Sequence, residues 1–308
     1  MSNRNIVIFP FAYKGGAKSG ANLKKNDDPL TIYLKNAIVA TVSCKRNNLS
    51  GGIDVALITN IEIAEEYRQV FYDNEVKIIY CPFDSFKFPD DYQWCLAFYK
   101  LCALKYIATS DYENVLCLDT DTYIRGNFDY LWKNLKQNII LYDRSGSTVE
   151  PYGSLAELEF VRFMYKNRIQ KVGGEFLASS IENLKPFIEK AESIYKTILK
   201  DDITIKSGDE YITSLTAGCF NNIDFSGERY IFRFETGFCR QVCNKGQLSV
   251  TPILHVYGAK RDGMIKMYNF FIRNKCFPTE RTIYKWFHFY HRRFKHFIQA
   301  IIKGTLFN

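Results

Sequence analysis

Two aspartates one residue apart, Asp119 and Asp121, end the apolar run inside "YENVLCLDTDTYIRGNFDYLW". Alternate residues of an extended segment share a side, so their carboxylates converge on one point. Without a cation there, mutual repulsion would raise one pKa and weaken the fold. A hard divalent ion such as Mn²⁺ or Mg²⁺ resolves this, because it takes oxygen ligands and keeps positions open for substrate phosphates. D-x-D alone is a weak pattern that occurs in many loops. Its position at the exit of a strand, after a buried helix, gives it meaning, because ligands of open α/β sheets collect beyond the carboxyl ends of the strands.

Other residues capable of chemistry are few. The four histidines are His255, His288, His291 and His296. His255 ends the apolar run of "SVTPILHVYG" and is followed by a glycine and two cations, Lys260 and Arg261, which is an anion-site composition. His288 and His291 sit three apart in an aromatic tail, where surface or membrane contact is the expectation. Asp209 stands at the start of a short helix, where the helix dipole favours an acid. Gly173 and Gly174 form a bend or a close backbone approach, and Arg125 reads as a solvated loop cation.

The elements that must position these groups alternate between short strand-like and longer helix-like apolar runs, which predicts an α/β sheet protein. "NIVIFPF", "IDVALIT", "VKIIYC", "NVLCLD", "NIILYD" and "EFLASS" are expected strands. Helices are expected over "PLTIYLKNAIVATVSCKR", "IEIAEEYRQVFYD", residues 92–109, "ENLKPFIEKAESIYKTILK" and "DEYITSLTAG". The tail is different in kind. Ile283, Phe287, Tyr290, Phe294, Phe297 and Ile301 recur at three-to-four spacing between lysines and arginines, which fits either an interfacial helix or one docked on its own domain.

A length of 308 residues suits one large domain, or one domain with an appendage. The charge of +8 is compatible with nucleic acid, an anionic membrane surface or phosphate-bearing substrates. No nucleic-acid motif accompanies the basic tail, so nucleic acid is not expected. The nine cysteines lie largely within apolar runs, as in a reducing compartment, and Cys239 and Cys243 form only a weak zinc pattern. The start shows no signal peptide and no window is apolar enough to span a bilayer, so a cytoplasmic protein is expected, peripheral to the membrane inner face if the tail binds there.

Four ordered stretches carry a resemblance. "FYKLCALKYIATSDYENVLCLDTDTYIRGNFDYLW", "VGGEFLASS", "SGDEYITSL" and "HVYGAKR" resemble, in that order, stations of the family 8 nucleotide-sugar glycosyltransferases. They span roughly residues 95–262. The resemblance implies a GT-A fold, a Rossmann-like mixed sheet flanked by helices, over residues 1–262, with residues 263–308 as a basic aromatic helical tail. It further implies that Asp119, Asp121 and His255 ligate Mn²⁺ (or Mg²⁺), with Thr120 beside the sugar nucleotide. Lys100 would reach the donor, and Gly258 would let backbone approach the diphosphate. Lys260 or Arg261 would neutralise phosphate, Gly173 and Gly174 would line the donor pocket, and Tyr13 would stack on the base. Asp209 and Glu210 would be the catalytic carboxylates. Val172 and Glu210 stand where the family usually has Asn and Gln.

These readings predict transfer of a hexose-type sugar from a nucleotide-diphosphate sugar, expected to be UDP-linked, to a saccharide or glycolipid acceptor. Retention of configuration is the family outcome, whereas Glu210 acting as general base would give inversion. Two rivals stay open. One is a nucleotidyltransferase using "YKGGAKSG" as a phosphate loop; the other is a non-enzymatic membrane- or polysaccharide-binding protein acting through its tail.

Overall fold

The computed structural model describes residues 5–17, 23–24, 26–48, 52–144, 170–203, 205, 208–233, 251–289 and 298. The first half supplies β1 (Asn5–Phe11), α1 (Pro29–Asn47), β2 (Ile53–Thr59), α2 (Glu65–Asp73), β3 (Lys77–Tyr80), α3 (Tyr99–Ile107), β4 (Asn114–Leu118), β5 (Thr122–Ile124) and β6 (Ile139–Asp143). The second half supplies β7 (Val172–Ser180), α4 (Ile181–Lys200), α5 (Asp209–Ala217), β8 (Ile223–Asp224), β9 (Ile231–Arg233), β10 (Ile253–His255), α6 (Gly263–Asn274) and α7 (Glu280–Trp286).

Seven strands form the main sheet in the order β3-β2-β1-β4-β7-β6-β8. β1, β2, β3 and β4 run parallel, while β7 lies antiparallel between β4 and β6. Strands buried on both faces read as continuous apolar runs, and β1 and β2 do so. Their alternate residues serve different layers. Ile6, Ile8, Ala56, Ile58, Val115 and Cys117 pack with α3, α4 and α5, whereas Val7, Phe9, Val55, Leu57, Leu116 and Leu118 pack with α1 and α2. The mixed sheet between helical layers is the expected class.

α1 starts where its sequence dictates. The Asp28 side chain accepts from the Leu30 N–H at 3.1 Å, and Pro29 occupies the first turn, where a missing N–H is harmless. It is buried over Asn36–Cys44 because it also packs on β5 and α6. The helix expected over 92–109 is regular only from Tyr99. Residues 92–98 make successive tight turns, with the Cys95 N–H donating to the Tyr92 carbonyl at 3.1 Å and the Ala97 N–H to the Trp94 carbonyl at 2.9 Å. The Phe88, Tyr92 and Phe98 rings cluster there, and packing outweighs helix propensity.

A second, three-stranded sheet, β5-β10-β9, lies outside the sequence expectations except for the run ending at His255. It shares a core with α6 and α7, in which Tyr123, Phe232, Leu254, Met264, Met267, Ile283 and Phe287 meet. The first two residues of the aromatic stripe, Ile283 and Phe287, are therefore buried in the protein itself, as is the neighbouring Phe289. Tyr290, Phe294, Phe297 and Ile301 lie outside the described residues, as do Cys239, Cys243, His291 and His296. The described cysteines are free thiols, and no helix among the described residues is long and apolar enough to cross a membrane.

Gly263, the first residue of α6, lies against α7. A Cβ there would sit 2.7 Å from the Trp286 carbonyl oxygen and 2.7 Å from Phe287 Cδ1. Because backbone must yield, Gly263→Ala is expected to destabilise the protein by about 1–3 kcal/mol in urea unfolding. An unchanged midpoint would show that α7 is not clamped to α6.

Candidate functional site

Backbone pairing assembles the site. β4 ends at Leu118, so Asp119 and Asp121 emerge at the carboxyl edge of the sheet. The Thr122 hydroxyl donates to the Asp119 carbonyl at 2.8 Å and turns the chain into β5. β10 pairs antiparallel to β5 with His255 opposite Thr122, and the Val256 N–H donates to the Asp121 carbonyl at 2.9 Å. Those bonds set the imidazole beside the two carboxylates. β7 runs antiparallel to β4 with Phe176 opposite Leu118, which carries Glu175 and Gly174 alongside Asp119. The N-terminus of α5 adds Asp209.

One ligand atom from each of Asp119, Asp121 and His255 lies within 4.8 Å of the other two. His255 Nε2 is 3.3 Å from Asp121 Oδ1 and 3.7 Å from Asp119 Oδ2. An octahedral ion with bonds of about 2.1 Å spaces adjacent ligand atoms roughly 3 Å apart and opposite ones about 4.2 Å. The donor set fits a divalent cation on this spacing. Asp121 and His255 are buried, while the Asp119 side chain is 30% exposed and opens the site on one side.

Cations surround the acids. Lys260 Nζ lies 2.8 Å from Asp121 Oδ2 and 5.1 Å from the Tyr33 ring centroid. Lys100 Nζ lies 2.7 Å from Asp119 Oδ1 and 3.2 Å from Asp209 Oδ2, and donates to the Gly174 carbonyl. A Cβ on Gly174 would come within 2.7 Å of Asp209 Oδ2 and 3.0 Å of Lys100 Nζ, so any larger residue there displaces those side-chain ends. Glu210 accepts from Arg144 and from the Gly174 N–H.

The expected residues do not all converge. Arg261 turns away to Asp27, with Nε 2.5 Å from Oδ2, so of the two neighbouring cations Lys260 is the one at the aspartates. Thr120 is buried between the aspartates, and Gly258 lies in the short turn Tyr257–Ala259 between His255 and Lys260. Tyr13 follows β1 at the same carboxyl edge, where its N–H donates to Asn60 Oδ1 at 2.9 Å. Lys14 pairs with Asp90, while residues 18–20 of "YKGGAKSG" lie outside the described residues. Arg125 is no solvated cation: it ion-pairs with Glu280 and donates to the Thr251 carbonyl.

Burial and charge act oppositely on the ionisable groups. Burial would raise Asp121, but Lys260 and His255 hold its carboxyl well below the usual carboxylate range. Burial likewise opposes a charge on His255, and Asp121 and Glu175 outweigh it, lifting the imidazole to about 9. Asp209 moves the other way. Burial raises it to about 6 despite Lys100, with Asp119 adding repulsion. Such a carboxyl can exchange a proton near neutral pH.

Four participants went unseen in the sequence: Glu175, Arg233, Arg144 and Tyr33. Glu175 pairs with Arg233, Nη1 to Oε1 at 3.0 Å, and both are buried. The available signal was a lone acid inside an otherwise apolar strand directly after two glycines. Arg144, Arg233 and Tyr33 carried none, because their roles depend on pairings between distant segments.

No protein-family model and no curated protein sequence matches the chain. Solved structures do. One is galactosyltransferase LgtC in complex with donor and acceptor sugar analogs, at 13% identity and a TM-score of 0.51, covering 81% of this chain and 86% of that one. Another is an active-site mutant of LgtC with glutamate in place of glutamine, at 14% identity and a TM-score of 0.50 over the same shares. The likeness establishes the fold, the GT-A fold of LgtC.

The raised His255 makes a pH prediction. Its proton is held more tightly in the folded chain than at the unfolded value of 6.5, so its contribution is complete below pH 6.5 and is lost as pH rises through about 9. Urea unfolding in chelator is therefore expected to show stability falling across that window, and His255→Gln to flatten the fall. Equal slopes in the two proteins would refute the coupling of His255 to its acids.

Proposed function

We propose that this protein is a metal-dependent glycosyltransferase that moves a hexose-type sugar from a UDP-linked donor to a hydroxyl of a saccharide or glycolipid. The observation that carries the reading is the convergence of Asp119, Asp121, His255 and Lys260 at the carboxyl edge of the sheet. The fold supports it, because a galactosyltransferase of the same fold has been captured with donor and acceptor sugar analogs. Two carboxylates and an imidazole suit Mn²⁺ better than Mg²⁺, which prefers oxygen alone. The bound cation supplies Lewis-acid polarisation of the leaving diphosphate.

The chain's own groups do the rest. Asp121 and His255 form the buried side of the grip, and the more open Asp119 faces the donor. Lys260, beside Asp121, shares the charge that develops on the diphosphate. Lys100 ties Asp119 to Asp209 and so fixes the acid that would touch the donor sugar. Gly174 keeps that space clear, and Gly258 allows close backbone approach to phosphate. In the transfer, the acceptor oxygen bonds to the anomeric carbon while the bond from that carbon to the diphosphate oxygen breaks. The acceptor proton leaves on the nucleoside diphosphate.

Both Glu210 oxygens are engaged, by Arg144 and by the Gly174 N–H, which supports retention over a mechanism using Glu210 as base. The pairing of Lys14 with Asp90 gives the phosphate-loop rival no support. Burial of Ile283, Phe287 and Phe289 likewise gives none to membrane contact through this part of the tail.

A screen of UDP-, GDP- and dTDP-sugars is expected to show hydrolysis that chelator abolishes and Mn²⁺ restores. Asp121→Ala should reduce it by roughly a hundredfold or more. Calorimetry should show UDP binding more tightly with Mn²⁺ than without. Equal UDP affinity in both conditions, or full turnover by Asp121→Ala, would overturn the proposal.

A further inference from the structure

The strand β7 carries Glu175 in "VGGEFLASS", followed by buried residues to the strand's end and with 1% of its own surface exposed. An acid so placed needs a partner, and the backbone makes room for one. The carboxylate folds back over Gly173, where a Cβ would stand 2.2 Å from Glu175 Oε2. Arg233 anchors it from β9, with Nη1 3.0 Å from Oε1 and the guanidinium 5.2 Å from the Tyr257 ring centroid. Burial opposes ionisation of Glu175, but Arg233 and His255 hold its carboxyl well below the usual range.

The same Oε1 faces His255 Nδ1 at 3.6 Å. Both atoms are sealed from solvent, and neither makes a hydrogen bond of standard geometry. The buried Nδ1, without a hydrogen-bond partner among the described residues, thus confronts a buried acceptor that Arg233 holds in place. Across the ring, Nε2 points at Asp121 and Asp119. An imidazole can ligate only through a nitrogen without a proton, and the partner of the other nitrogen decides which one that is.

We propose that Glu175 is a positioning residue for cation binding: anchored by Arg233, it accepts from the Nδ1–H of His255 and so presents the Nε2 lone pair to the space between Asp119 and Asp121. This rests on the reading that these three residues bind a divalent ion. It adds a residue outside the D-x-D motif and outside the ligand set. A purely structural Glu175 would stabilise the fold through Arg233 and leave ion affinity alone.

The test is Mn²⁺ affinity of the full chain without nucleotide, by electron paramagnetic resonance of free Mn²⁺. Replacing the pair together, Glu175→Met with Arg233→Met, leaves no buried charge unpaired and removes the acceptor. That variant is expected to keep its melting temperature but bind Mn²⁺ about 10–100-fold more weakly. Glu175→Gln, which retains an acceptor oxygen, should fall between it and the wild type. Long-range proton–nitrogen correlation of the Mg²⁺-loaded wild type should place the His255 proton on Nδ1. Should the double variant fail to fold, that tautomer measurement decides alone. Wild-type affinity in the double variant overturns the proposal while leaving the cation reading intact if Asp121→Asn still abolishes binding; a proton on Nε2 overturns it too and removes His255 Nε2 from the ligand set. Absence of Mn²⁺ binding by the wild type would sink both.

Discussion

Two like charges one residue apart, one of them almost sealed from water, set the terms for the groups around them. At an effective dielectric near 20, carboxylates about 4 Å apart repel by roughly 4 kcal/mol. The chain answers from three directions. Lys260 comes from the turn after β10 to Asp121, Lys100 from α3 to Asp119, and His255 from β10 to both. Each partner would be a poorly solvated cation without its acid, so the charges hold one another in place. The two carboxylates and the imidazole are thus already converged, with the positive charge of Lys100 and Lys260 beside them.

The main sheet was legible because its physics is local. "NIVIFPF" and "IDVALIT" are uninterrupted apolar runs, the mark of strands covered on both faces, and Asp28 with Pro29 announces the start of α1. The small sheet was not legible. β5, β9 and β10 are three residues each, too short for any periodicity, and they exist because distant segments pair. The segment 92–98 misled for a related reason: its composition favours a helix, while ring packing among Phe88, Tyr92 and Phe98 imposes a tighter path.

The site was legible to the same extent. Asp119, Asp121 and His255 stand at strand ends in the sequence and meet in space. The chain left Lys260 and Arg261 as equal candidates for the cation beside the aspartates. The turn Tyr257–Ala259 delivers Lys260 there, and Arg261 is committed to Asp27. The pairs Arg144–Glu210 and Arg233–Glu175 could not be read at all, since each joins distant segments whose adjacency only the fold reveals. A lone glutamate in an apolar strand is a cue to ask what neutralises it, but not where that partner comes from.

The register of β5 with β10 has a bearing on biosynthesis. A growing polypeptide that has reached β9 already contains both aspartates, yet neither the imidazole nor the lysine that complete their surroundings. Contacts of such wide sequence separation close slowly. The cluster of Asp119, Asp121 and His255 therefore cannot assemble until the nascent molecule has emerged nearly whole, and no product shortened before β10 contains it.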